Sequence, residues 1–411
     1  MSSVPEHTWG HTIPFGQEYY RKAKDTLLEI RADIGMIRVI SSRAVKTIQA
    51  GNKVYMNVTT GHMPTYELVN EREGNPAQFE FSGNDACTPE QFSAMQPGDL
   101  LLTNNVGEDV QDARKKGVYV VIFTTCYVNN KRTPPGRVHP NVNDWMPEDI
   151  ASEVVYTSIP WQQGLVNIPE MPYMEAFPGS ANVSSAIHWM ITAETAHALA
   201  TGGMPDGSKG LEYLDILLSR IDEFFDGETE RINETAATLS QRFIDGGRFF
   251  VRSRNEGIQS EASHVAQGLM MANLFEPRNR EDGGDKDVML IAMVSAGDST
   301  DIQWAENARK RGSCVLGIGP GNNPQMENRC DVYFCNRCDE AEGVVVAAGY
   351  AAGICPATGV INNIVTQALQ AQFVDEMCRR GELPFFYMGG YRTGGGAFNK
   401  IMRPLAEARG Y

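Results

Sequence analysis

The sequence of 411 residues lacks the features that mark several large classes of protein. It has no run of the roughly 20 apolar residues that a membrane-spanning helix needs. Its first residues, MSSVPEHTWGHTIPFGQ, contain neither the basic nor the apolar segment of a secretory signal. Lys and Arg number 36 against 51 Asp and Glu, and no basic stripe occurs, which argues against a nucleic-acid partner. The sequence therefore predicts a cytoplasmic protein with no membrane or nucleic-acid partner.

The cysteines lack the spacing of a zinc or redox site. Eight are scattered along the chain, most of them in or beside apolar strand-like runs. Cys335 and Cys338 have CxxC spacing, but no second pair or histidine partner follows at zinc-finger spacing. We interpret the cysteines as reduced, packed thiols.

What the sequence does have is an internal repeat. IQAGNKVYMNVTTGHMPTYEL, from Ile48, matches FIDGGRFFVRSRNEGIQSEAS, from Phe243. Further on, the stretch that begins at Asp99 matches the one that begins at Asp287. Each reads strand, glycine loop, helix and strand, with a shorter helix in the first copy. The helices end in basic residues followed by Gly117 and Gly312, which suit the C′ position.

Strands made of continuous apolar runs and separated by helices predict an α/β protein with parallel sheets covered on both faces. We expect two tandem, doubly wound, five-stranded sheets. The predicted strands are 53–58, 77–82, 99–104, 118–124 and 153–157, then 248–253, 270–275, 287–294, 313–318 and 331–335. The predicted parts are an N-terminal arm (1–24), a first domain (25–205), a second domain (206–380) and a Gly- and aromatic-rich tail (381–411).

This pattern resembles the SIS (sugar isomerase) domain, in two copies, over about residues 25 to 380. Thr60-Gly61-His62-MPTYE looks like the Thr-Gly-His loop of uncharacterised bacterial SIS proteins. Asn255-EGIQSEAS-His264 resembles the first loop and helix of sedoheptulose-7-phosphate isomerases. The resemblance implies a flavodoxin-like fold, a sugar ligand and a homodimer.

In a doubly wound sheet, ligands bind beyond the carboxyl ends of the strands. This places two loops of each copy at the site: 59–65 and 104–109, and 254–260 and 294–301. The predicted substrate-binding residues are Thr60, Gly61, Asn104, Asn105, Gly107, Asn255, Ser295, Gly297 and Ser299.

The second loop of each copy departs from the phosphate-binding pattern that the resemblance implies. Val294 and Ala296 stand where the family has serines, and each copy adds acids, Glu108 and Asp109 or Asp298 and Asp301. A carboxylate beside a phosphate is repulsive. We therefore hypothesise a sugar without a typical phosphate. The alternative is that these acids only cap the helices that follow.

Aldose–ketose isomerisation needs a carboxylate base and a polar acid. The first copy offers His62 and Glu67, which pass from a loop into a predicted helix. The second offers Glu261 and His264, three residues apart on one helix face. The alternative for Glu67 is a solvated helix face, and His264 could equally be a core histidine that holds a helix end.

The expected function is that of a sugar isomerase which works by enediol proton transfer without an organic cofactor. In sedoheptulose-7-phosphate isomerases a glutamate follows the histidine by four residues, where this chain has Gly268. No metal is therefore expected, with a divalent ion as the alternative. The alternative functions are a non-catalytic sugar-binding or regulatory protein and an amino-sugar lyase. The tail is a candidate lid or dimer arm, or else a packed extension.

Overall fold

The computed structural model describes residues 13–58, 62, 65–81, 87–124, 147–157, 159–160, 163–263, 265–274, 283–339, 343–389 and 394–410. Its helices are α1 (Phe15–Ala32), α2 (Ile34–Gln49), α3 (Pro89–Ala94), α4 (Glu108–Lys115), α5 (Pro147–Ile150), α6 (Ser180–Thr201), α7 (Ser208–Ile244), α8 (Glu256–Ser263), α9 (Ser299–Lys310), α10 (Pro324–Glu327), α11 (Thr358–Arg379) and α12 (Gly395–Ala408). Its strands are β1 (Val54–Asn57), β2 (Leu100–Thr103), β3 (Tyr119–Thr124), β4 (Glu153–Tyr156), β5 (Gly164–Asn167), β6 (Glu175–Pro178), β7 (Phe249–Ser253), β8 (Ala272–Leu274), β9 (Val288–Ala292), β10 (Cys314–Gly319) and β11 (Val332–Cys335). None of the described helices is long and apolar enough to cross a membrane.

Apart from β5 and β6, the described strands form two parallel sheets, as predicted. One has the order β11-β10-β9-β7-β8 and the other β1-β2-β3-β4. The strand predicted at 77–82 is wrong as a strand: within the described residues it is reduced to a parallel bridge between Tyr55 and Glu80. That bridge stands where β8 stands in the other sheet, so both share the flavodoxin-like order 2-1-3-4-5. The similar order is what a duplicated unit would give, and the duplication itself stays a prediction.

The crossover helices end as the sequence predicted. Helix α4 has eight residues and α9 has twelve. Gly117 (φ +94°) and Gly312 (φ +86°) follow the two C-caps in the left-handed region. A side chain there would be strained, which explains a glycine in both places.

The two sheets share one hydrophobic core. A single cluster contains Val54 and Leu100 of one sheet, Phe249 and Leu290 of the other, and residues of α1, α6, α7 and α11 between them. Helices α6 and α11 are buried on almost every side, which is typical of helices inside a core. The outer face of each sheet has its own smaller cluster. The predicted boundary at 205/206 therefore falls between α6 and α7, which pack against each other.

At both ends of the described chain, residues pack into the hydrophobic core. The predicted arm includes part of α1, whose Phe15 and Tyr19 are fully buried and which packs against α11. In the tail, Tyr387 N donates to Gly268 O (2.9 Å) and Met270 N donates to Phe385 O (2.8 Å). These bonds make 385–387 a packed extension, and α12 follows it. The sequence analysis also missed the antiparallel pair β5–β6, in which a Cβ on Gly164 would lie 2.5 Å from the Glu175 carbonyl carbon.

Candidate functional site

The candidate site lies where the strand order reverses in the second sheet. After β7 the chain leaves toward β8 on one side, and β9 then returns on the other side. The loops that follow β7 and β9 therefore part and leave a crevice between them, which is the usual ligand position in this topology. We call it the β7–β9 crevice; Arg254 and Asn255 border it on one side and residues 293–298 on the other. The equivalent position in the first sheet lies between the loops after β1 and β2.

Glu67 connects the two sheets beneath this crevice. It ends a short 3-10 turn, Thr65–Glu67, and its side chain is fully buried. Asn255 Nδ2 donates to Glu67 Oε1 (2.8 Å), and Trp189 Nε1 donates to Oε2 (2.9 Å). Arg72 Nε lies 3.6 Å from Oε1, with its side chain also buried. We call Glu67, Arg72, Trp189 and Asn255 the junction cluster, since it joins residues that follow β1, helix α6 and the loop after β7.

Two opposing effects act on the pKa of Glu67. The pKa of the carboxyl group is raised overall, because the effect of burial exceeds the opposing effects of Arg72, Trp189 and Asn255. Its Oε1 also lies against the first turn of α11, where a Cβ on Gly359 would come within 2.0 Å of it. The partial positive charge of a helix N-terminus favours a carboxylate in that position. The cluster therefore offsets part of the cost of burying the Glu67 carboxylate.

Arg254 forms the wall of the crevice. Its Nη2 donates to Ser295 Oγ (2.9 Å), which closes the gap between the loops after β7 and β9. Its Nε lies 2.8 Å from Asp298 Oδ2, and its Nη2 lies 3.7 Å from Glu73 Oε1. Tyr66 OH accepts from Nη1 at 3.5 Å. The side chain remains 26% exposed, so a ligand in the crevice would meet a guanidinium group whose charge is already balanced by acids.

The helix N-terminus at this crevice is already occupied by a carboxylate. Asp298 is the N-cap of α9, and its Oδ1 accepts from Thr300 N (2.8 Å) and Asp301 N (3.2 Å). These amides are the groups that would otherwise bind a phosphate. In the first sheet, α4 begins at Gly107 without a side-chain cap, and Glu108 and Asp109 fill its first turn.

Asp301 is buried in the first turn of α9, and among the described residues neither of its carboxylate oxygens has a hydrogen-bond partner. Burial, helped by Asp298 and opposed by Arg254, raises the pKa of Asp301 to about 7. The pKa of this group is lower in the unfolded chain, so ionisation favours unfolding. Its contribution to the free energy of unfolding therefore falls as the pH rises to 7, and the full loss persists at higher pH. Between pH 5 and pH 8 we expect the free energy of unfolding of the wild type to fall by about 2–3 kcal/mol more than that of Asp301→Asn. Urea unfolding at both values measures it.

The exposed Asp109 at the start of α4 provides the control for that experiment, since Asp109→Asn removes an acid from a solvated helix start. It should leave the pH dependence of stability as in the wild type. Parallel pH curves for the wild type and Asp301→Asn would contradict the assignment.

His62 lies apart from Glu67. Its Nδ1 is 3.2 Å from Ser180 Oγ at the start of α6, and Ser180 Oγ donates to Gln163 Oε1 (2.9 Å). Trp189, the α6 residue that contacts Glu67, comes nine residues after Ser180, roughly 13 Å along the axis. The predicted acid–base pair of His62 and Glu67 therefore belongs to two separate places, and His62 borders the equivalent crevice of the first sheet.

Glu261 is also buried, on α8. Among the described residues neither of its carboxylate oxygens has a hydrogen-bond partner, and burial raises its pKa well above the usual range. Its backbone carbonyl accepts from Gln367 Nε2 (2.9 Å) on α11. Burial without a hydrogen-bond partner among the described residues disfavours the ionised form of this carboxyl group. His264, its predicted partner, lies outside the described residues, as do Thr60 and Gly61.

The remaining predicted binding residues follow the two loop pairs. Asn104 is buried and Asn105 half-buried after β2, and Thr103 Oγ1 accepts from Asn105 N (2.9 Å). Ser295 is half-buried, whereas Gly297 and Ser299 are exposed at the start of α9. The structure therefore brings Asn255 and Ser295 to the β7–β9 crevice and leaves Asn104, Asn105 and Gly107 at the other sheet.

Three residues that shape the crevice were missed in the sequence: Arg72, Trp189 and Arg254. Arg72 stands among acids in a polar stretch, and Trp189 stands in an apolar helix, so neither position indicates a site. Arg254 directly follows an apolar strand and precedes Asn255, which is a usable signal for a group at a strand edge. The helix predicted to carry Glu67 is also wrong: among the described residues here, only the 3-10 turn Thr65–Glu67 forms.

Comparison with known proteins places the fold. No family model matches the sequence. The UPF0309 protein of Streptomyces griseus subsp. griseus is 21% identical over 236 residues, which cover 48% of this chain and 94% of that protein. The C-terminal domain of glucosamine-fructose-6-phosphate aminotransferase from Francisella tularensis superposes with a TM-score of 0.51 at 12% identity, covering 93% of this chain and 100% of that one. A candidate phosphosugar isomerase from Clostridium difficile 630 gives 0.51 at 9% identity, covering 89% and 93%. The chain therefore has the fold of the SIS-domain proteins.

Proposed function

We propose that the protein binds a sugar in the β7–β9 crevice and interconverts its aldose and ketose forms through an enediol. The fold, the position of the crevice at the reversal of strand order, and the donors and acceptors on its walls support a sugar ligand. Sugar hydroxyls need both donors and acceptors, which Arg254, Asn255 and Ser295 supply.

The position of Asp298 is the observation that favours a sugar without a phosphate. Its carboxylate caps α9 and pairs with Arg254, so it occupies both the helix amides and the cation that a phosphate would use. A phosphate brought to the same place would face that carboxylate at short range, which is repulsive. The proposed ligand is therefore a sugar without a phosphate at this end.

In the proposed reaction Glu67 is the base. Arg72 favours its ionised form, and Trp189 orients Oε2. The sugar would displace the Asn255 amide from Oε1 and present its C2–H there. Glu67 removes that proton, the C2–H electron pair forms the C1=C2 double bond, and the carbonyl electron pair moves onto O1. The proton of the O2 hydroxyl passes to O1 as C2–O2 becomes the carbonyl, and the same carboxyl group returns its proton to C1. Arg254 would stabilise the negative charge that develops on the sugar oxygen.

A substitution at Asp298 tests the choice of ligand. Asp298→Ser keeps a capping hydroxyl but removes the negative charge, leaving Arg254 without its nearest acid. We expect affinity for fructose 6-phosphate, measured by titration calorimetry, to rise about tenfold or more, since a guanidinium freed from its nearest carboxylate binds phosphate strongly. Asp215→Ser, which breaks the exposed pair with Arg31, is the matched control and should change nothing. Equal affinity in all three proteins would count against the proposal.

A second function, sugar binding without catalysis, is favoured by one observation. Glu67 and Glu261, the two carboxylates predicted as bases, are 0% and 1% exposed. Both would stay out of reach if the sugar failed to displace Asn255. A protein of this kind would bind sugar yet leave its carbon-bound hydrogens unexchanged, and this separates the two functions.

A further inference from the structure

A second cleft lies at the opposite edge of the first sheet, away from the β7–β9 crevice. It has a volume of about 540 Å³ and is lined by α2, by the first residues of β3 and β4, and by Pro205. Tyr119 and Glu153 begin these two strands, so the cleft opens at the amino ends of parallel strands. Its volume falls in the range that holds a small metabolite.

The cleft concentrates positive charge in an acidic protein. Arg38, Arg43 and Lys46 project from successive turns of α2 into it, and all three are exposed. In the part of the chain that the structure describes, no carboxylate forms an ion pair with any of them. The neighbouring helix α1 differs, because its Lys24 and Arg31 are paired with aspartates of α7. Three unpaired cations on one cleft wall stand out in a chain of net charge −15.

One of these cations is already positioned. The Arg43 guanidinium lies over the Tyr119 ring, 4.1 Å from its centroid, and the stacking limits its freedom. Glu153 is the opposing charge in the lining, and its Oε2 lies 3.5 Å from Tyr119 OH. An arginine held in this way loses less freedom on binding and presents its donors as a fork, which matches a phosphate group.

We propose that this cleft, lined by Arg38, Arg43 and Lys46, binds a small phosphate-bearing metabolite with several negative charges. The site is separate from the β7–β9 crevice and does not rest on the function proposed for it. The two sites have opposite preferences: the crevice carries its own acids, whereas the cleft leaves its cations unpaired.

Titration calorimetry of the full chain with pyrophosphate tests the proposal. The variant Arg38→Gln/Arg43→Gln/Lys46→Gln removes the cations, and glutamine keeps helix propensity at exposed positions. The control Arg114→Gln/Lys115→Gln/Lys116→Gln makes the same change in net charge at the exposed end of α4. We expect the wild type and the control to bind pyrophosphate equally, and the α2 variant to bind at least about tenfold more weakly.

Absence of binding by the wild type, or equal binding by the α2 variant, would overturn the proposal. The cations of the cleft could instead bind the acidic surface of a second copy of the chain. Light scattering on the same samples detects such association. Salt-sensitive association that is lost in the α2 variant, without pyrophosphate binding, would show the cleft to be an interface and would also overturn it.

Discussion

Arg72→Met is expected to lower the free energy of unfolding by about 3–5 kcal/mol, because it leaves the buried Glu67 carboxylate without its cation. Arg72 and Glu67 are 1% and 0% exposed at their side chains, so water cannot replace the lost partner. Trp189 and Asn255 still donate to Glu67, but both are neutral. Urea unfolding at pH 7.5, with coincident signals from fluorescence and circular dichroism, measures the loss.

The matched control removes an arginine from an exposed ion pair. Arg31 and Asp215 are about half exposed, and Arg31→Met should cost about 0–1 kcal/mol. The double variant Glu67→Gln/Arg72→Met removes both charges and should recover part of the loss. A cost for Arg72→Met no larger than for Arg31→Met would mean that the junction cluster does not hold the two sheets together.

Glu67→Gln is expected to lower the rate of sugar isomerisation by about 10²–10⁴-fold, the contribution of a positioned base. The substitution keeps the shape of the side chain and removes the proton acceptor. The measurement is the rate at which deuterium from D₂O enters a carbon-bound position of the sugar, followed by mass spectrometry. Sugar binding, followed as a thermal shift, should persist, which separates loss of chemistry from loss of structure.

Glu71→Gln is the control for the Glu67 variant, since Glu71 is four residues away and exposed. It should exchange deuterium at the wild-type rate. If Glu67→Gln fails to fold, Glu67→Asp is the second variant, because it keeps the carboxylate but moves it away from the sugar by one methylene. A folded Glu67→Asp protein that exchanges deuterium more slowly than the wild type would support the same conclusion. Wild-type exchange by a folded Glu67→Gln would exclude Glu67 as the base.

Local sequence signals predicted the parallel sheets well. The signals were apolar strands bounded by glycine loops, and basic residues before Gly117 and Gly312. Each of these signals involves residues within one helical turn or one strand of each other. Their structural requirement is fixed by the backbone, as the positive φ at both glycines shows. The strand at 77–82 failed because Glu80 alone, of the residues described in that segment, forms a bridge with β1, and a single bridge leaves no residue pattern of its own.

The site needed partners that are distant in sequence. Glu67 is bound by Trp189 and Asn255, which are 122 and 188 residues away. No local pattern marks such contacts, since an isolated glutamate beside a glycine loop is equally typical of a solvated turn. The shared core has the same cause: α1 packs against α11 across almost the whole chain. The capping role of Asp298 could be read from the sequence because Asp298 acts on its own helix start.

The most direct test of the proposed activity is deuterium incorporation from D₂O into paired plain and phosphorylated sugars, each incubated with the wild-type protein. Because only a sugar that reaches the base exchanges its carbon-bound hydrogen, an anion held elsewhere on the protein gives no signal. We expect exchange in at least one plain aldose or ketose, and much slower exchange in its phosphorylated counterpart. Deuterium exchange in phosphorylated sugars alone would contradict the proposed activity. So would the absence of exchange in every sugar that binds, as judged by a rise in the melting temperature of the protein.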